Sequence, residues 1–342
     1  MMIPPPDEKS YQAARARQDQ LIKPTGALGR LEDIACWFAA RQRRVIPETL
    51  KPAITVFAAD HGVADQQVSA YPAAVTQAML NSLASGQAAI AVLARQLNAI
   101  YAVVDVGVNR TGVTPEHVID ERIANGTQDI STQPAMTRQQ AEQALLVGAD
   151  YADKAIDQGA TLLVAGEVGI GNTTSAACII AALTRLDPGM LVGSGTGLDA
   201  KGREHKLDIV RRSLQRAAIA NPAALNALTE LGGFEIAAMA GYYLQAARRG
   251  MPVLLDGYIS AAAALIAINM EPLSKEWMFA SHQSAELGHA LVLEHLQLKP
   301  LISLGMRLGE GSGAAIALTI IKSALQLHRE MATFAEAGVP ES

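Results

Sequence analysis

The sequence predicts an α/β fold in which a mostly parallel, Rossmann-like sheet lies between two layers of helices. Three observations support this three-layer α/β/α architecture. Short apolar runs alternate with longer amphipathic stretches along the chain, as they do in βαβ units. The apolar runs are nearly continuous, which is typical of strands that are covered on both faces. Acidic residues and glycines end several of these runs, where an open parallel sheet builds its ligand site.

Six apolar runs are predicted to be strands. In chain order they are residues 53–60 (AITVFAAD), 99–107 (AIYAVVDVG), 160–167 (ATLLVAGE), 191–195 (LVGSG), 251–257 (MPVLLDG) and 300–306 (PLISLGM). Each of the first five runs has an acid or a glycine at or near its end: Asp60, Asp105, Glu167, Gly193 and Asp256. Because parallel strands end at the same edge of a sheet, we expect the ligand crevice there.

The two terminal segments lie outside this alternation and are predicted to be helical. We expect residues 1–49 to pack with residues 312–342 as a small helical subdomain beside an α/β main domain of about residues 50–305. No internal repeat, low-complexity tract or clear linker interrupts the chain. The 342 residues are therefore predicted to form a single catalytic unit.

Composition excludes several classes of partner. The net charge of −5 and the pI of about 5.8 give no basic footprint for nucleic acid. No apolar run reaches membrane-spanning length without interruption, and the N-terminus (MMIPPPDEKS) lacks the blocks of a signal peptide. Cys36 and Cys178 are far apart among apolar neighbours, so we expect buried, reduced thiols and no metal site. These features predict a soluble cytoplasmic protein with no nucleic-acid or membrane partner.

Two glycine-rich loops are candidate anion sites. Residues 166–177 (GEVGIGNTTSAA) join a strand to a helix, so backbone N–H groups there could cradle a phosphate or simply form a tight connection. This loop matches neither a P-loop nor a dinucleotide fingerprint. Residues 192–206 (VGSGTGLDAKGREHK) form the second loop, and Lys206 begins a helix that would hold it near the crevice. Together the loops favour a phosphorylated substrate.

Two acidic positions are ambiguous from pattern alone. Asp60 and His61 could serve a metal or acid–base chemistry, but no ligand cluster stands nearby. We therefore favour a turn cap for Asp60 and a backbone hydrogen bond for His61. Glu310, in the stretch RLGEGSG, is either a carboxylate at the start of the last helix or a general base in a glycine-walled pocket. Burial would raise its pKa and a helix terminus would lower it.

An ordered set of motifs resembles one enzyme family. The motifs are LIKPTGALGRLEDIA, ADHGVADQQVSAYPAAVT, GTQDISTQPAMTRQQA, GEVGIGNTTSAA, LGGFEIAAMAG, PVLLDGYISAAAAL and MRLGEGSGAA, and they run in order from about residue 21 to residue 315. Together they are similar to the nicotinate-nucleotide–dimethylbenzimidazole phosphoribosyltransferases. The resemblance implies that the small-molecule substrates are nicotinate mononucleotide and dimethylbenzimidazole. It also implies a parallel sheet with a small helical domain, a homodimer, and no metal or organic cofactor.

The resemblance also assigns roles to residues. It implies that Glu310 is the catalytic base and that Glu167 lines the site and stabilises positive charge on the ribose. The residues implied to bind phosphate or ribose are Gly169, Thr173, Lys206 and Ser284. The residues implied to contact the aromatic base are Ser69, Tyr71, Gln77, Met79 and Leu308.

The acceptor base is the point at which this sequence departs from the family pattern. Tyr71 precedes a proline where some members carry serine, and Gln77 is displaced by a residue or two from the expected glutamine. Related benzimidazoles, adenine or phenols are therefore alternative acceptors. Two other functions remain open alternatives: a non-catalytic nucleotide-binding homologue, and an NAD-dependent dehydrogenase, which the missing dinucleotide fingerprint disfavours.

Overall fold

The computed structural model describes residues 2–110, 112–218 and 223–340. Within these ranges six strands form one sheet. The strands are β1 (Pro52–Ala59), β2 (Ile100–Gly107), β3 (Val118–Asp120), β4 (Leu162–Val168), β5 (Val253–Leu255) and β6 (Met278–Ala280). All neighbouring strands run parallel in the order β3-β2-β1-β4-β5-β6. The order reverses between β1 and β4, and such a switch point opens a crevice at the carboxyl ends of the strands.

The helices connect and cover these strands. They are α1 (Glu8–Gln20), α2 (Arg30–Gln42), α3 (Ala74–Ala84), α4 (Ala89–Leu97), α5 (Arg138–Asp157), α6 (Asn172–Thr184), α7 (Pro188–Leu191), α8 (Ala200–Ala217), α9 (Ala224–Leu231), α10 (Phe234–Arg248), α11 (Tyr258–Met270), α12 (His289–His295), α13 (Ser312–Glu330) and α14 (Phe334–Ala337). Short 3₁₀ helices span Gly62–Gln66 and Pro272–Trp277.

The central strand β1 divides two hydrophobic cores. Its side chains alternate: Phe57 joins the core beneath α5, α6, α10 and α11, whereas Ile54 and Val56 join the core beneath α2, α4 and α13. Every residue of β1 is buried. A strand that is covered on both faces needs few polar residues, which explains why Thr55 is the one polar residue in β1. The predicted three-layer α/β/α architecture with a parallel sheet is confirmed.

Four of the predicted strands are present and two are wrong. Residues 191–195 form the end of α7 and an irregular loop, because Asp187 caps a short helix that begins at Pro188. Residues 300–306 are not a strand and make one isolated bridge, between Ile302 and His282. The sequence analysis missed β3 and β6, which have three residues each, too few to establish a period.

The terminal helices pack against each other and also against the sheet. Helix α2 contacts both α1 and α13, and Leu21 forms an antiparallel bridge with Thr333. Phe38 of α2 and Leu318 of α13 belong to the same hydrophobic core as Ile54 of β1. The division into a main domain and a small helical subdomain stays a prediction. The apolar faces of the terminal helices are continuous with the core of the main domain.

Candidate functional site

A cleft lies at the carboxyl ends of β4 and β5, beside the switch point of the sheet. Most of the residues predicted from the sequence line it, namely Tyr71, Met79, Glu167, Gly169, Thr173, Ser284, Leu308 and Glu310. Lys206 lies behind this lining and donates a hydrogen bond to Thr173. Ser69 is joined to the lining residue Thr196, whereas Gln77 is not among the lining residues. The roles of all these residues stay predictions.

Glu310 lies on the turn that leads into α13. Its φ of +63° is uncommon for a residue with a side chain, and Gly309 and Gly311 on either side also have positive φ. The carboxylate does not cap its own helix. Instead, its Oε2 accepts a hydrogen bond of 3.3 Å from the N–H of Ile90 in the first turn of α4. Burial raises the pKa of Glu310, and the Ile90 hydrogen bond opposes the rise.

Glu167 lies next to Glu310 at the end of β4. The backbone carbonyl of Glu167 accepts a hydrogen bond of 3.2 Å from the N–H of Glu310, and Asn172 donates to the Glu167 carboxylate. Burial raises the pKa of Glu167 well above its ordinary value, and the nearby carboxylates of Asp256 and Glu235 raise it further. Glu167 and Glu310 therefore place two carboxylates in the lining of the cleft, with those of Asp256 and Glu235 in the protein behind Glu167.

Asp256 follows β5 and fixes the start of α13. Its carboxylate accepts hydrogen bonds from the N–H groups of Gly311 and Ala314, at 3.2 and 2.9 Å, and so caps the helix that follows Glu310. The Nε2 atom of His282 lies 3.7 Å from the same carboxylate. Burial raises the pKa of Asp256, while His282 and the capped N–H groups lower it. Asp256 therefore anchors the turn that carries Glu310.

Glycine allows two close backbone approaches at the cleft. A side chain at Gly166 in β4 would overlap the carbonyl of Glu310, and one at Gly169 would overlap the carbonyl of Ala59. The N–H of Ile170 donates to the Thr76 hydroxyl at 3.1 Å, which joins this loop to α3. The glycines of the GEVGIG stretch thus bring the Glu310 turn, β1 and β4 together.

A cationic group stands at another part of the site. Lys206, on α8, is buried and donates from Nζ to the Thr173 hydroxyl at 2.6 Å. Burial lowers the pKa of Lys206 to about 8, and the neighbouring Glu286 carboxylate opposes this shift. Thr173 is in the first turn of α6, where backbone N–H groups also favour an anion.

Part of the cleft lining is aromatic and apolar. Tyr71 is 55% exposed and Leu308 is 57% exposed, and both line the cleft with Val75 and Met79. The one-turn spacing of Val75 and Met79 on α3 places them on one helix face. A flat aromatic ring suits such a lining, because apolar surface drives its burial.

The Asp60–His61 pair serves the scaffold beneath the cleft. The Asp60 carboxylate accepts from the N–H of Asn109 at 2.8 Å, as expected for a turn cap. The predicted backbone bond of His61 is wrong, since its Nε2 lies 2.7 Å from the Glu235 carboxylate in a buried pair. A partner so distant in sequence gives no local signal.

Other lining residues were missed as site candidates. They are Asn172, Thr196, Gly257, Tyr258, His282, Glu286 and Arg307, among others that contribute backbone or apolar surface. Asn172 follows Glu167 by five residues and Arg307 precedes Glu310 by three. This closeness in sequence to a predicted site residue was the signal that could have identified them. His282 and Glu286 flank Ser284 in the same way.

In the described ranges, no group of three or more His, Cys, Asp or Glu side chains could hold a metal ion. Cys36 and Cys178 are both buried, and neither forms a disulfide. None of the helices in the described ranges combines the length and the apolar character that crossing a membrane requires.

Comparisons with known proteins agree on one family. A family model described as "Phosphoribosyltransferase" matches residues 3–339. The chain is 51% identical over 335 residues to the nicotinate-nucleotide–dimethylbenzimidazole phosphoribosyltransferase of Chromobacterium violaceum, covering 98% of this chain and 97% of the relative. It is 47% identical over 337 residues to the enzyme of the same name from Pseudomonas putida, covering 98% and 96%.

A solved structure gives the same result. The crystal structure of CobT from Thermus thermophilus superposes with a TM-score of 0.93 at 43% identity, covering 98% of this chain and 100% of that chain. The sequence, the fold and the acidic cleft at the switch point therefore lead to one assignment. The chain belongs to the nicotinate-nucleotide–dimethylbenzimidazole phosphoribosyltransferase family.

Proposed function

We propose that this chain transfers the phosphoribosyl group of nicotinate mononucleotide to 5,6-dimethylbenzimidazole, giving α-ribazole 5′-phosphate and nicotinate. This reaction assembles the lower-ligand nucleotide of cobalamin. The single observation that supports the mechanism best is the buried Glu310 carboxylate with its raised pKa, in a cleft that Tyr71, Met79 and Leu308 also line. A carboxylate of raised pKa is better matched to proton abstraction near neutral pH.

The transfer requires few reactive groups. An acceptor ring nitrogen attacks C1′ of the ribose, and the C1′–N bond to nicotinate breaks with its electron pair passing to the nicotinate nitrogen. That nitrogen is cationic in the donor, so its departure needs no general acid. The attacking base becomes cationic, and Glu310 removes the proton from its other ring nitrogen. Attack from the face opposite nicotinate inverts the anomeric carbon to the α configuration.

The acidic groups of the site suit the charge on the donor. The pyridinium ring is cationic at the start, and the ribose gains positive charge as the bond breaks. Glu167, with Asp256 and Glu235 nearby, would stabilise this charge electrostatically. A cation beside Glu167 would in turn lower the pKa of its carboxyl, which favours the ionised form during the reaction.

The cationic part of the site suits the donor phosphate. The buried Lys206 donates a hydrogen bond to the half-buried Thr173, and Thr173, Gly169 and Ser284 line the same cleft. We assign these four residues to the phosphate and ribose. Placing the donor and the acceptor ring on opposite faces of the ribose would contribute much of the rate enhancement.

The acceptor pocket comprises Tyr71, Met79 and Leu308, with Ser69 behind them. Tyr71 would stack on or cover the acceptor ring at the mouth of the cleft. Because this pocket is mainly apolar, other flat bases would also bind, so adenine, other benzimidazoles and phenols are alternative acceptors.

The test is product formation from nicotinate mononucleotide and dimethylbenzimidazole, followed by chromatography of nicotinate and α-ribazole phosphate. We expect both products in equal amounts. Absence of nicotinate release with every azole, purine and phenol acceptor would overturn the proposal. Calorimetric binding of the mononucleotide without turnover would instead support a non-catalytic homologue.

We further propose that the protein acts as a cytoplasmic homodimer, as the family resemblance implies. Analytical ultracentrifugation should give the mass of two chains, each of 36.0 kDa. Cell fractionation should recover the protein with the cytosolic fraction. A monomeric mass at micromolar concentration would contradict the dimer.

A further inference from the structure

We propose that Thr196 is a positioning residue that joins the donor phosphate site to the segment that binds the acceptor base. The inference rests on the proposed function and deepens it by naming the link between its two substrates. Thr196 lies in the loop between α7 and α8, and it lines the cleft. It acts through the neighbouring loops and is assigned no contact with the reacting atoms.

One side of the link is the hydroxyl of Thr196. Its Oγ1 lies 2.8 Å from the hydroxyl of Ser69 and accepts a hydrogen bond of 2.9 Å from the N–H of Ala70. The Ser69 hydroxyl also accepts from the N–H of Tyr71 at 3.2 Å. These bonds fix the start of the segment that presents Tyr71 to the cleft. Because that segment is irregular and partly exposed, few other contacts hold it.

The other side of the link is Gly195, the preceding residue. A side chain at this position would lie 3.0 Å from Lys206 Nζ and 3.2 Å from the Thr173 hydroxyl, so the Gly195 backbone borders the cationic site. The carbonyl of Gly195 accepts from Arg307 Nη1 at 2.9 Å, which ties the loop to the turn that carries Glu310. Gly195 therefore borders the proposed phosphate site, and the next residue, Thr196, bonds to the acceptor segment.

The backbone around Thr196 is arranged to present this one side chain. Gly195 and Gly197 have φ values of +52° and +119°, conformations that favour glycine. The N–H groups of Gly197 and Leu198 each donate to the Ser194 carbonyl at 2.9 Å, so the loop turns tightly around Thr196. The Thr196 hydroxyl is thus the group through which the glycine loop at the cationic site holds the acceptor segment in place.

The test is steady-state kinetics of Thr196→Val, which keeps the side-chain shape and removes the hydroxyl. We expect the KM for dimethylbenzimidazole to rise about three- to tenfold, the effect of losing one or two partly exposed hydrogen bonds. The kcat at saturating acceptor and the KM for nicotinate mononucleotide should stay within about twofold, because Glu310 and Lys206 are untouched. Thr196→Ser should restore the acceptor KM, since it restores the hydroxyl.

The matched control is Ser194→Ala in the same loop. Ser194 is exposed, and its hydroxyl makes no hydrogen bond to the described residues, so its removal should leave all constants unchanged. If Thr196→Val does not fold, Ser69→Ala tests the same bond from the other side and should raise the same KM. An unchanged acceptor KM in both variants, or a rise in both KM values together that serine does not reverse, would overturn the inference. Turnover by the unsubstituted protein in the same assay separates this failure from failure of the proposed function.

Discussion

At the scale of single residues, the chemistry depends on what surrounds each charged group. Glu310 and Lys206 are both buried, and burial shifts the pKa of each toward neutrality, upward for the acid and downward for the base. The hydrogen bond from Ile90 and the charge of Glu286 limit these shifts. The Glu310 carboxylate is thus suited to accept a proton, and the Lys206 ammonium group is suited to bind an anion.

Replacing Glu310 by glutamine should reduce kcat about a hundred- to ten-thousandfold, the usual contribution of a positioned base. Donor binding should be retained, because the amide preserves the shape of the side chain. Stopped assays of product formation and calorimetry with nicotinate mononucleotide check the two parts. In the unsubstituted enzyme, kcat/KM should fall as pH drops through a pKa above the ordinary carboxyl value, since the base must be ionised. Unchanged turnover in Glu310→Gln would remove Glu310 from this role, whereas an acid limb that persists at low turnover would report the other cleft carboxylate, Glu167.

The KM for nicotinate mononucleotide should rise as pH increases above about 8, because the buried Lys206 loses its charge near that pH. Initial-rate measurements across the neutral to mildly alkaline range at saturating acceptor check this. The control is Lys206→Met, in which the donor KM should be high at neutral pH and independent of pH. A donor KM that is flat with pH in the unsubstituted enzyme would contradict the assignment of phosphate binding to Lys206.

At the scale of elements, the site depends on close contact between the ends of strands and the starts of helices. Strand β4 supplies Glu167 and lies against the turn before α13, and Asp256 after β5 caps that helix. Helix α4 donates to the Glu310 carboxylate from its first turn. Three elements that are distant in sequence therefore determine where the Glu310 carboxylate points.

Replacing Gly166 by alanine should lower both kcat and the free energy of unfolding. The added methyl group would overlap the carbonyl of Glu310, so the turn must move, and misplaced catalytic groups are costly. We expect a kcat loss of at least about tenfold and a destabilisation of about 1–3 kcal/mol, measured by kinetics and by chemical denaturation. The control Gly202→Ala adds a methyl group in α8, where its nearest neighbours are the side chains of Leu198 and Asp199. A normal kcat in Gly166→Ala would show that the turn tolerates displacement.

At the scale of the whole molecule, two cores on either side of one sheet make the fold cohesive. The core that includes β1 also includes α2 and α13 from the two ends of the chain. Helices α2 and α13 thus cover one face of the sheet near the turn that carries Glu310. Stability at the termini and geometry at the site are linked through this shared core.

Replacing Phe38 by alanine should destabilise the entire protein by about 3–5 kcal/mol, because Phe38 is fully buried in the shared core. Because the terminal helices pack on the sheet, unfolding followed by circular dichroism and by tryptophan fluorescence should give one coincident transition at a lower denaturant concentration. The exposed Val45→Ala variant is the control and should change stability by less than about 0.5 kcal/mol. An early separate transition confined to one probe would indicate a subdomain that unfolds independently.

The sequence by itself determined the fold class, four of the strands and the order of motifs that identify the family. Burial on both faces of a strand produces a nearly continuous apolar run, which can be recognised locally. The same reasoning failed for residues 191–195, where a proline-led helix intervenes, and for β3 and β6, which are too short to show a period.

Only the tertiary structure decided which groups meet at the site. One interpretation of the sequence pattern placed the Glu310 carboxylate at the start of α13, where the helix terminus would stabilise it. In the fold the carboxylate instead accepts a hydrogen bond from the first turn of α4, 220 residues away. Thr196 meets Ser69 across 127 residues, and His61 meets Glu235 across 174. Contacts between side chains so far apart leave no periodicity in the sequence, because they depend on how the strands are ordered and how the helices pack over them.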